Sequence, residues 1–381
     1  MSPKLFPPGA TIGVMGGGQL GRMFAVPARR MSYRVHVFTP ERDSPAAQFA
    51  DDSTVADFRD EKAVRRFARS LNLLTFEFEN IPNETIEWCA RECEVRPAGS
   101  ILETAQHRLR EKTFLLENNF PLAQFRAIRS SAELVSAVEQ IGRSSILKTA
   151  AWGYDGKGQQ SISSRDLDDV WQTRSADELI LERAVDFEKE ISVIVARDPA
   201  GNLRAFPVAE NIHRDHILDL TIVPAVIPEK VAHTAVEIAC AIAEKLGVVG
   251  LLAVEMFVEK SGKVLVNELA PRPHNSGHWS IEGCVTSQFE QHVRAVCGLP
   301  LGAVDLLRPT AMANLLGDLW RGAEPQWAAA LALPNVHLHL YGKHEARPRR
   351  KMGHLTAVAN SPAEAARLVR DARAKLCKPK S

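Results

Sequence analysis

The sequence lacks a long apolar run. No uninterrupted apolar stretch approaches the roughly 20 residues that a membrane-spanning helix requires. Residues 1–8 also lack the apolar core of a secretory signal and lead almost directly into a predicted strand. We therefore expect no membrane partner.

The chain also has little cysteine and no disulfide framework. Its six cysteines are scattered, and the closest pair, Cys89 and Cys93, has helical spacing without a second metal-type pair. This usage is typical of reduced thiols, and it predicts a cytoplasmic protein.

Excess charge of either sign is absent as well. The 381 residues include 47 basic and 46 acidic side chains, which leaves a net charge of +1. A near-neutral balance argues against broad binding of nucleic acid. The hydrophobic content of 45% is ordinary for a globular protein, and the length allows two or three domains with a large core.

The first hundred residues alternate between predicted strands and helices. Apolar, β-branched runs at 11–15, 34–38 and 73–79 have the character of buried strands, and a helical stretch separates the first two. This βαβ pattern predicts a parallel α/β domain.

The pattern changes near residue 105. A helix is predicted over 109–119, and residues 122–187 have the character of a small α+β unit. A mixed unit follows, with a helix that ends at Gly247. Its strands are predicted near 189–197, 204–210, 252–258 and 263–268. Beyond residue 300 we expect short strands near 336–341 and a final helix near 362–376.

Two glutamates lie on adjacent predicted strands. Glu255 and Glu268 belong to apolar runs joined by the turn Ser261-Gly262-Lys263, which predicts a hairpin. Two carboxylates on an apolar sheet are costly unless a cation compensates them, and oxygen ligands favour magnesium. A surface hairpin with solvated glutamates is the alternative. The polar, conformationally restricted loop at 270–279 favours the cation site.

A glycine-rich turn follows the first strand. Residues 16–21 read Gly-Gly-Gly-Gln-Leu-Gly, and Glu41 lies where a ribose-binding acid is expected in dinucleotide-binding proteins. Three interpretations remain open: an NAD(P) site, a site for another phosphate ligand at the helix N-terminus, and a purely structural turn.

A second glycine-rich segment suggests a nucleotide flap. Lys148 ends a predicted strand, and the loop at 153–159 reads Gly-Tyr-Asp-Gly-Lys-Gly-Gln. Backbone N–H groups of such a loop can close on phosphates, although the P-loop ending is absent. A structural loop is the alternative.

Three further segments are less specific. Residues 182–185 with Glu190 can offer backbone and carboxylate groups to a nucleoside, and exposed charges are the alternative. In 211–216, His213 and His216 lack a third zinc ligand nearby, so polar substrate contacts or a solvated loop are favoured over zinc. The basic run at 347–354 suits a phosphorylated small molecule or a solvated face.

Taken together, these motifs resemble the ATP-grasp superfamily and, within it, the N5-carboxyaminoimidazole ribonucleotide synthetases of purine synthesis. The resemblance extends over about residues 10–360. It is carried by GGGQLGRM at 16–23, FEFENI at 76–81, GYDGKGQ at 153–159, NIHRDHI at 211–217, NELAPRPHNSGHW at 267–279 and RKMGH at 350–354.

The resemblance implies a mixed α/β and α+β architecture built on the ATP-grasp fold. An N-terminal parallel α/β domain (Rossmann-like, pre-ATP-grasp) would span 1–104 and bind the ribonucleotide. The ATP-grasp domain would span 105–300, with a lid at about 122–187. A small β-rich C-terminal domain at 301–381 would complete the active site, and the protein would be a homodimer.

The resemblance also implies the reaction. ATP, bicarbonate and 5-aminoimidazole ribonucleotide would give the N5-carboxy product, ADP and phosphate through carboxyphosphate, with ATP and Mg²⁺ (or Mn²⁺) as cofactors. Glu255 and Glu268 would hold the metal. The ATP contacts would be Arg108, Lys148, Gly153, Tyr154, Asp155, Gly156, Lys157, Gly158, Gln159, Glu182, Arg183, Ala184, Val185, Glu190, His213, Asn267 and Glu268.

The remaining site residues are implied in the same way. Catalysis would use Lys148, Arg272, His274, Asn275 and Lys343, with His274 as a general base for the attacking amine. The substrates would contact Gln19, Leu20, Glu79, Tyr154, Asp155, Arg272, His274, Asn275, Ser276, Lys343, Arg350 and Lys351.

The sequence departs from the family pattern in two places. The segment before the flap, at 149–153, lacks the usual basic residues and double glycine and contains Trp152, which would stiffen the hinge. Arg349 stands where glycine is usual, which would alter the backbone of the basic run. Rival hypotheses are a formate-dependent glycinamide ribonucleotide transformylase, a biotin carboxylase, an NAD-dependent oxidoreductase and a catalytically silent ATP-binding protein.

Overall fold

The computed structural model describes residues 4–151, 158–162, 166–172 and 178–377. No helix within these ranges is long and apolar enough to cross a membrane. All six cysteines lie in the described ranges, and each is a free thiol.

The N-terminal part forms a five-stranded sheet in the order β3-β2-β1-β4-β5, and every pair of neighbouring strands is parallel. Its elements are β1 (Thr11–Met15), α1 (Gln19–Arg30), β2 (Arg34–Thr39), β3 (Asp52–Val55), α2 (Glu61–Arg69), β4 (Leu73–Phe76), α3 (Asn83–Ala90), β5 (Glu94–Val95) and α4 (Gly99–Ala105). Residues such as Ile12 and Val14 are buried because helices cover both faces of a parallel sheet. The predicted parallel domain is confirmed, although β4 ends three residues before Glu79.

A helix and a smaller four-stranded sheet follow. The elements are α5 (Arg108–Glu117), β6 (Phe125–Ile128), α6 (Ser131–Ile141), β7 (Ser145–Thr149), β8 (Gln159–Ser161), α7 (Leu167–Gln172) and β9 (Leu179–Arg183). The sheet has the order β6-β9-β7-β8 and pairs antiparallel throughout. Helices α6 and α7 pack on it through Leu134, Val138 and Val170. This is the expected α+β unit.

The largest sheet contains nine strands in the order β15-β14-β10-β12-β13-β16-β18-β17, with β11 paired to β10. The elements are β10 (Phe187–Arg197), β11 (Leu203–Ala205), β12 (Ala209–Arg214), β13 (Ile217–Val223), α8 (Glu229–Leu246), β14 (Gly250–Glu259), β15 (Val264–Ala270), α9 (Ser280–Gly283), α10 (Gln288–Cys297), β16 (Thr310–Leu316), α11 (Trp327–Leu331), β17 (Val336–Leu340), β18 (Lys351–Val358) and α12 (Pro362–Lys375). The single strand predicted at 204–210 is wrong. Two strands, β11 and β12, form there instead; both pair with β10, and residues 206–208 interrupt the ladder between them.

Helix α8 covers one face of this sheet. Val231, Ala235 and Ile242 on the helix pack in one cluster with Val254 and Met256 of β14. Burying each of the larger side chains, such as Ile242 or Met256, contributes about 1.5–3 kcal/mol. Because side chains alternate along a strand, residue 255 faces the opposite side from this cluster. The core therefore determines which face of β14 carries the glutamate.

Candidate active site

The two glutamates of the predicted hairpin are direct partners in the β14–β15 ladder. Glu255 pairs with Glu268, and the register shifts beside this pair so that Met256 faces Val266. Directly opposed residues of antiparallel strands project from the same face, so the two carboxylates lie on one side of the sheet. Burial, and second the Glu268 carboxylate, raise the pKa of Glu255 above its usual range.

This arrangement fits a divalent cation. A partly buried carboxylate with a raised pKa beside a second carboxylate is stabilised when a cation shares them. No group of three or more His, Cys, Asp and Glu side chains suitable for a metal occurs among the described residues. Two protein carboxylates with substrate phosphates and water as the other ligands are the usual magnesium arrangement at a phosphoryl-transfer site.

The loop after β15 carries two of the predicted residues, Arg272 and His274. Arg272 forms an ion pair with Glu79, with 2.6 Å between Nη2 and Oε1. The Nε2 atom of His274 lies 3.2 Å from Oε1 of Glu255. Burial, and second the Arg272 charge, lower the pKa of His274 well below its usual range. A neutral imidazole therefore contacts the Glu255 carboxylate.

Asn275 and Ser276, which follow His274, differ in their side-chain hydrogen bonding. Ser276 is 1% exposed, and its Oγ lies 2.8 Å from His274 Nδ1 and 2.8 Å from Ser192 Oγ. The Ser276 hydroxyl is therefore engaged inside the protein. The side-chain nitrogen of Asn275 is buried and has no hydrogen-bond partner within the described ranges, so it can receive a ligand.

The glycine-rich turn before α1 binds a carboxylate of the protein itself. Glu77 accepts hydrogen bonds from the backbone N–H groups of Gly18, Leu20 (3.1 Å) and Gly21 (3.0 Å). A Cβ atom on Gly18 would lie 2.4 Å from a Glu77 oxygen, so glycine is required there. The amides that an NAD(P) or phosphate ligand would use are occupied. Of the three interpretations of this turn, the structural one is favoured.

The strand lysine predicted upstream of the flap forms a buried ionic cluster. Lys148 Nζ on β7 donates to Glu182 Oε2 on β9 at 3.0 Å, and Lys112 Nζ of α5 lies 4.0 Å from the same oxygen. Burial alone would raise the pKa of Glu182, but Lys112 and Lys148 outweigh it and lower this pKa to about 2. Glu182 is therefore ionised at neutral pH.

Trp152, before the predicted flap, lies outside the described residues, and so do five of the seven flap residues: Gly153, Tyr154, Asp155, Gly156 and Lys157. Gly158 is described and adopts φ +76°. Gln159 Nε2 lies 3.1 Å from His216 Nδ1, at the tip of the β12–β13 hairpin. The flap thus ends beside a hairpin that also carries His213.

The other predicted nucleotide residues lie on or beside α5, β9, β10, β12 and β15. Arg108 Nη1 donates to the carbonyl oxygen of Thr149 at 2.8 Å, next to the flap. His213 Nδ1 hydrogen-bonds to the Glu190 carboxylate across β12 and β10. The exposed Arg183 ends β9, and Ala184 and Val185 follow it. Asn267 lies on β15, and its carbonyl oxygen accepts a 2.6 Å hydrogen bond from Lys112 Nζ.

The basic run of the C-terminal part approaches the site through Lys343. Lys343 Nζ donates to the carbonyl oxygen of Lys351 at 2.8 Å. Burial, and second the Arg350 charge, lower the pKa of Lys343 to about 8. Arg350 Nη1 donates to the Glu345 carbonyl oxygen at 3.1 Å. Gln19 and Leu20 begin α1, and the Leu20 N–H donates to Glu77.

Arg349 adopts the backbone conformation that glycine favours. Its φ is +66°. Its backbone N–H donates to Asp318 Oδ2 at 2.7 Å, and its Nη2 atom donates to the Asp215 carbonyl oxygen at 2.7 Å. The loop keeps a left-handed residue at this position, and these hydrogen bonds offset the strain.

Sequence reasoning missed several residues of the site. Glu77 lies in the FEFENI motif at 76–81, where it is a second acid two residues before the predicted Glu79. Lys112 and Glu111 follow Arg108 on α5, and Glu111 Oε2 accepts from the Leu269 N–H at 3.0 Å. No sequence signal marks Lys112 and Glu111, because charged residues are ordinary on helices.

Family models cover most of the chain. An ATP-grasp domain matches residues 113–289, a ribonucleotide synthetase preATP-grasp domain matches 9–106, and a phosphoribosylaminoimidazole carboxylase C-terminal domain matches 310–368. The chain is 43% identical to the N5-carboxyaminoimidazole ribonucleotide synthase of Bacillus subtilis over 93% of each chain. It also matches 38% of the length of a bifunctional purine synthesis protein of Dictyostelium discoideum, at 45% identity over 93% of this chain.

Solved structures agree. An N5-carboxyaminoimidazole ribonucleotide synthetase in complex with ADP superposes with a TM-score of 0.93 at 42% identity, covering 98% of both chains. The Aspergillus clavatus synthase in complex with ADP and 5-aminoimidazole ribonucleotide gives a TM-score of 0.86 at 31% identity, covering 96% of this chain and 98% of that one. These matches confirm the ATP-grasp fold and leave no support for the oxidoreductase hypothesis. The chain belongs to the N5-carboxyaminoimidazole ribonucleotide synthase family of ATP-grasp ligases.

Proposed function

We propose that this chain carboxylates 5-aminoimidazole ribonucleotide with bicarbonate at the expense of ATP, through carboxyphosphate. The observation that carries the proposal is the position of His274 and Arg272. Both follow directly on the strand of Glu268, and the His274 ring contacts Glu255. A phosphoryl-transfer site and an anion-binding loop therefore adjoin each other, as the transfer of phosphate to bicarbonate requires.

ATP would bind between the four-stranded sheet and the β14–β15 hairpin. Lys148 would approach the transferring phosphate, and Glu190 with His213 would hold the nucleoside. The other proposed contacts are Arg108, residues 153–159, residues 182–185, Asn267 and Glu268. The ligand-free Lys148–Glu182 pair keeps the ammonium at the end of β7, ready to exchange part of its interaction for a phosphate oxygen.

Glu255 and Glu268 would hold Mg²⁺ or Mn²⁺. The bound ion would supply charge compensation for the transferring phosphoryl group. The register of the hairpin keeps the two carboxylates on one face before any ligand arrives, so little reorganisation is needed.

Arg272, His274, Asn275 and Lys343 would hold bicarbonate and the intermediate. A bicarbonate oxygen attacks the γ-phosphorus, and the bond to the ADP oxygen breaks. Carboxyphosphate then releases phosphate and carbon dioxide. The exocyclic amine attacks the carbon dioxide to form the new N–C bond, and its proton passes to the released phosphate. Arg272 suits this task because its fork can bind an oxyanion in a bidentate manner.

The ribonucleotide would lie between the N-terminal sheet and the basic run. Gln19, Leu20, Glu79, Arg350 and Lys351 would contact it, with Tyr154 and Asp155 of the flap at the aminoimidazole. Because the Ser276 hydroxyl is engaged internally, we propose that Ser276 acts on the substrate through His274.

The test is ADP release with ATP, Mg²⁺ and bicarbonate, with and without 5-aminoimidazole ribonucleotide. We expect release that depends on the ribonucleotide, and none when glycinamide ribonucleotide replaces it. Release that is independent of the ribonucleotide, or equal with both ribonucleotides, contradicts the proposal. Omitting bicarbonate from carbon-dioxide-free buffer is the matched control and should abolish release.

We also propose the three-part division at residues 104 and 300, a homodimer and a cytoplasmic location. The resemblance supports each of these. Light scattering of the purified chain tests the dimer, because a mass equal to one 42.0 kDa chain contradicts it.

A further inference from the structure

Three polar side chains on adjacent strands cross the buried interior of the large sheet. They are Thr221 on β13, Asn211 on β12 and Ser192 on β10, and with Ser276 we call them the polar chain. Each is at most 5% exposed. Buried polar groups are costly unless they are hydrogen-bonded, so each of these side chains should have a partner.

The polar chain is continuous and ends at His274. Thr221 Oγ1 donates to Asn211 Oδ1 at 3.1 Å, and Asn211 Nδ2 donates to Ser192 Oγ at 2.9 Å. Ser192 Oγ donates to Ser276 Oγ at 2.8 Å, and Ser276 Oγ lies 2.8 Å from His274 Nδ1. Each hydroxyl carries a single proton, so the direction of one bond determines the next.

A backbone group determines the direction at the His274 end. The N–H of Ser276 points at His274 Nδ1, with 3.3 Å between the nitrogens. A backbone N–H can only donate, so Nδ1 must be the unprotonated nitrogen of the neutral ring. The Ser276 hydroxyl then also donates to Nδ1 and accepts from Ser192. If the hydrogen bonds ran in the reverse direction, a proton on His274 Nδ1 would face the proton of the Ser276 N–H.

We propose that the polar chain holds the proton of the His274 ring on Nε2, the nitrogen beside Glu255. The ring then offers an N–H donor to the Glu255 carboxylate, or to an oxyanion beside it. A ring nitrogen that already carries a proton cannot accept one from the attacking amine. His274 is therefore a hydrogen-bond donor in the reaction, not its general base, and the members of the polar chain are positioning residues. This last step rests on the proposed function, whereas the proton position does not.

The proton position can be measured directly. In the full-length protein labelled with ¹⁵N in the histidine rings, NMR distinguishes a ring nitrogen with a bonded proton from one without. The His274 signals are assigned from their loss in His274→Gln. We expect a bonded proton on Nε2 and none on Nδ1 at neutral pH. A bonded proton on Nδ1 overturns the proposal without any reference to activity.

Asn211→Asp tests whether the polar chain sets this position. A carboxylate of nearly the same shape can only accept, so it reverses the Ser192 hydroxyl and, through Ser276, favours a proton on Nδ1. We expect the His274 proton to shift toward Nδ1 in this variant. An unchanged proton position in folded Asn211→Asp shows that the polar chain does not set it, and overturns the proposal.

Turnover provides a second measurement that does not need Asn211→Asp to fold. Thr221→Val removes a hydroxyl at constant volume, and Thr221→Ser retains it. We expect kcat for ribonucleotide-dependent ADP release to fall about two- to tenfold in Thr221→Val, with KM for ATP unchanged. Thr221→Ser should be near wild type. Equal kcat in the two variants contradicts the positioning role. If wild type shows no ribonucleotide-dependent release, the proposed function fails, and the NMR result still decides the proton position.

Discussion

The carboxylate of Glu77 accepts a hydrogen bond from the backbone N–H of Gly18, at the first turn of α1. Two further amides of the same turn, those of Leu20 and Gly21, donate to its other oxygen. A helix N-terminus attracts anions, and here the anion belongs to the protein. The glycine-rich turn is therefore a junction between β1, α1 and the segment after β4.

This junction predicts a stability difference. Glu77→Ala leaves three N–H groups without their acceptor, and we expect a loss of about 1–3 kcal/mol in the free energy of unfolding. Glu77→Gln keeps one acceptor oxygen and should lose less. Urea unfolding of the two variants measures the difference, and equal stability would contradict the structural role of the turn.

The metal hypothesis predicts a loss of turnover without a loss of fold. Glu268→Gln should lower ADP release by about a hundredfold or more, because an amide neither compensates nor holds a cation well. The Glu268 side chain is exposed, so the free energy of unfolding should hardly change. Glu259→Gln, on the same hairpin and away from the pair, is the matched control. Near-normal turnover in Glu268→Gln would refute its role as a ligand.

The lowered pKa of Lys343 predicts how kcat/KM declines at alkaline pH. Its pKa in the folded protein is lowered to about 8, mainly by burial, so its ammonium is lost as the pH rises through that value. If the charge holds bicarbonate, kcat/KM should fall above about pH 8. Lys343→Arg keeps the charge and should move the fall to higher pH. The same fall in both proteins would assign it to another group.

The contribution of Lys343 to the free energy of unfolding rises with pH, whereas kcat/KM is expected to fall. Between pH 8 and the ordinary lysine pKa of about 10.4, the unfolded chain binds the proton more tightly than the folded chain. The penalty for burying the charged Lys343 is therefore present below pH 8 and disappears as the pH rises through this window. Urea unfolding should show Lys343→Met gaining stability relative to wild type near pH 7, and less near pH 10.

The ionic cluster around Glu182 predicts coupling between two residues. Lys112 is 2% exposed and Glu182 is 5% exposed, so removing one charge leaves the other less compensated. We expect Lys112→Met to cost about 2–4 kcal/mol, with Lys148 limiting the loss. Lys112→Met with Glu182→Gln should cost less than the sum of the single changes. Additive losses in a double-mutant cycle would contradict the coupling.

Two variants of Arg349, the left-handed residue in the basic run, distinguish the effect of backbone strain from that of the side-chain hydrogen bond. Arg349→Ala and Arg349→Gly both lose the hydrogen bond to Asp215, but only glycine relieves the strain at φ +66°. We expect the glycine variant to be about 1 kcal/mol more stable than the alanine variant. Equal thermal midpoints would show that the loop relaxes instead.

Local patterns were sufficient for much of the fold. The parallel strands from residue 11 to 76, the helix that ends at Gly247 and the hairpin of Glu255 and Glu268 all follow from periodicity and turn residues. The order of the motifs along the chain indicated the family. The single strand predicted at 204–210 failed because β11 and β12 have the composition of one longer strand and pair one after the other with β10. Periodicity cannot show where a strand is interrupted.

The sequence by itself determined which residue types were available: the paired glutamates, the arginine and histidine after them, and the glycines that leave room for a close approach. Only the tertiary structure decided that Glu77 occupies the glycine turn, and that Thr221, Asn211 and Ser192 join into one hydrogen-bonded path to His274. The physical reason is that these contacts join residues from separate strands and loops. Their geometry depends on strand order and register, which no local pattern encodes.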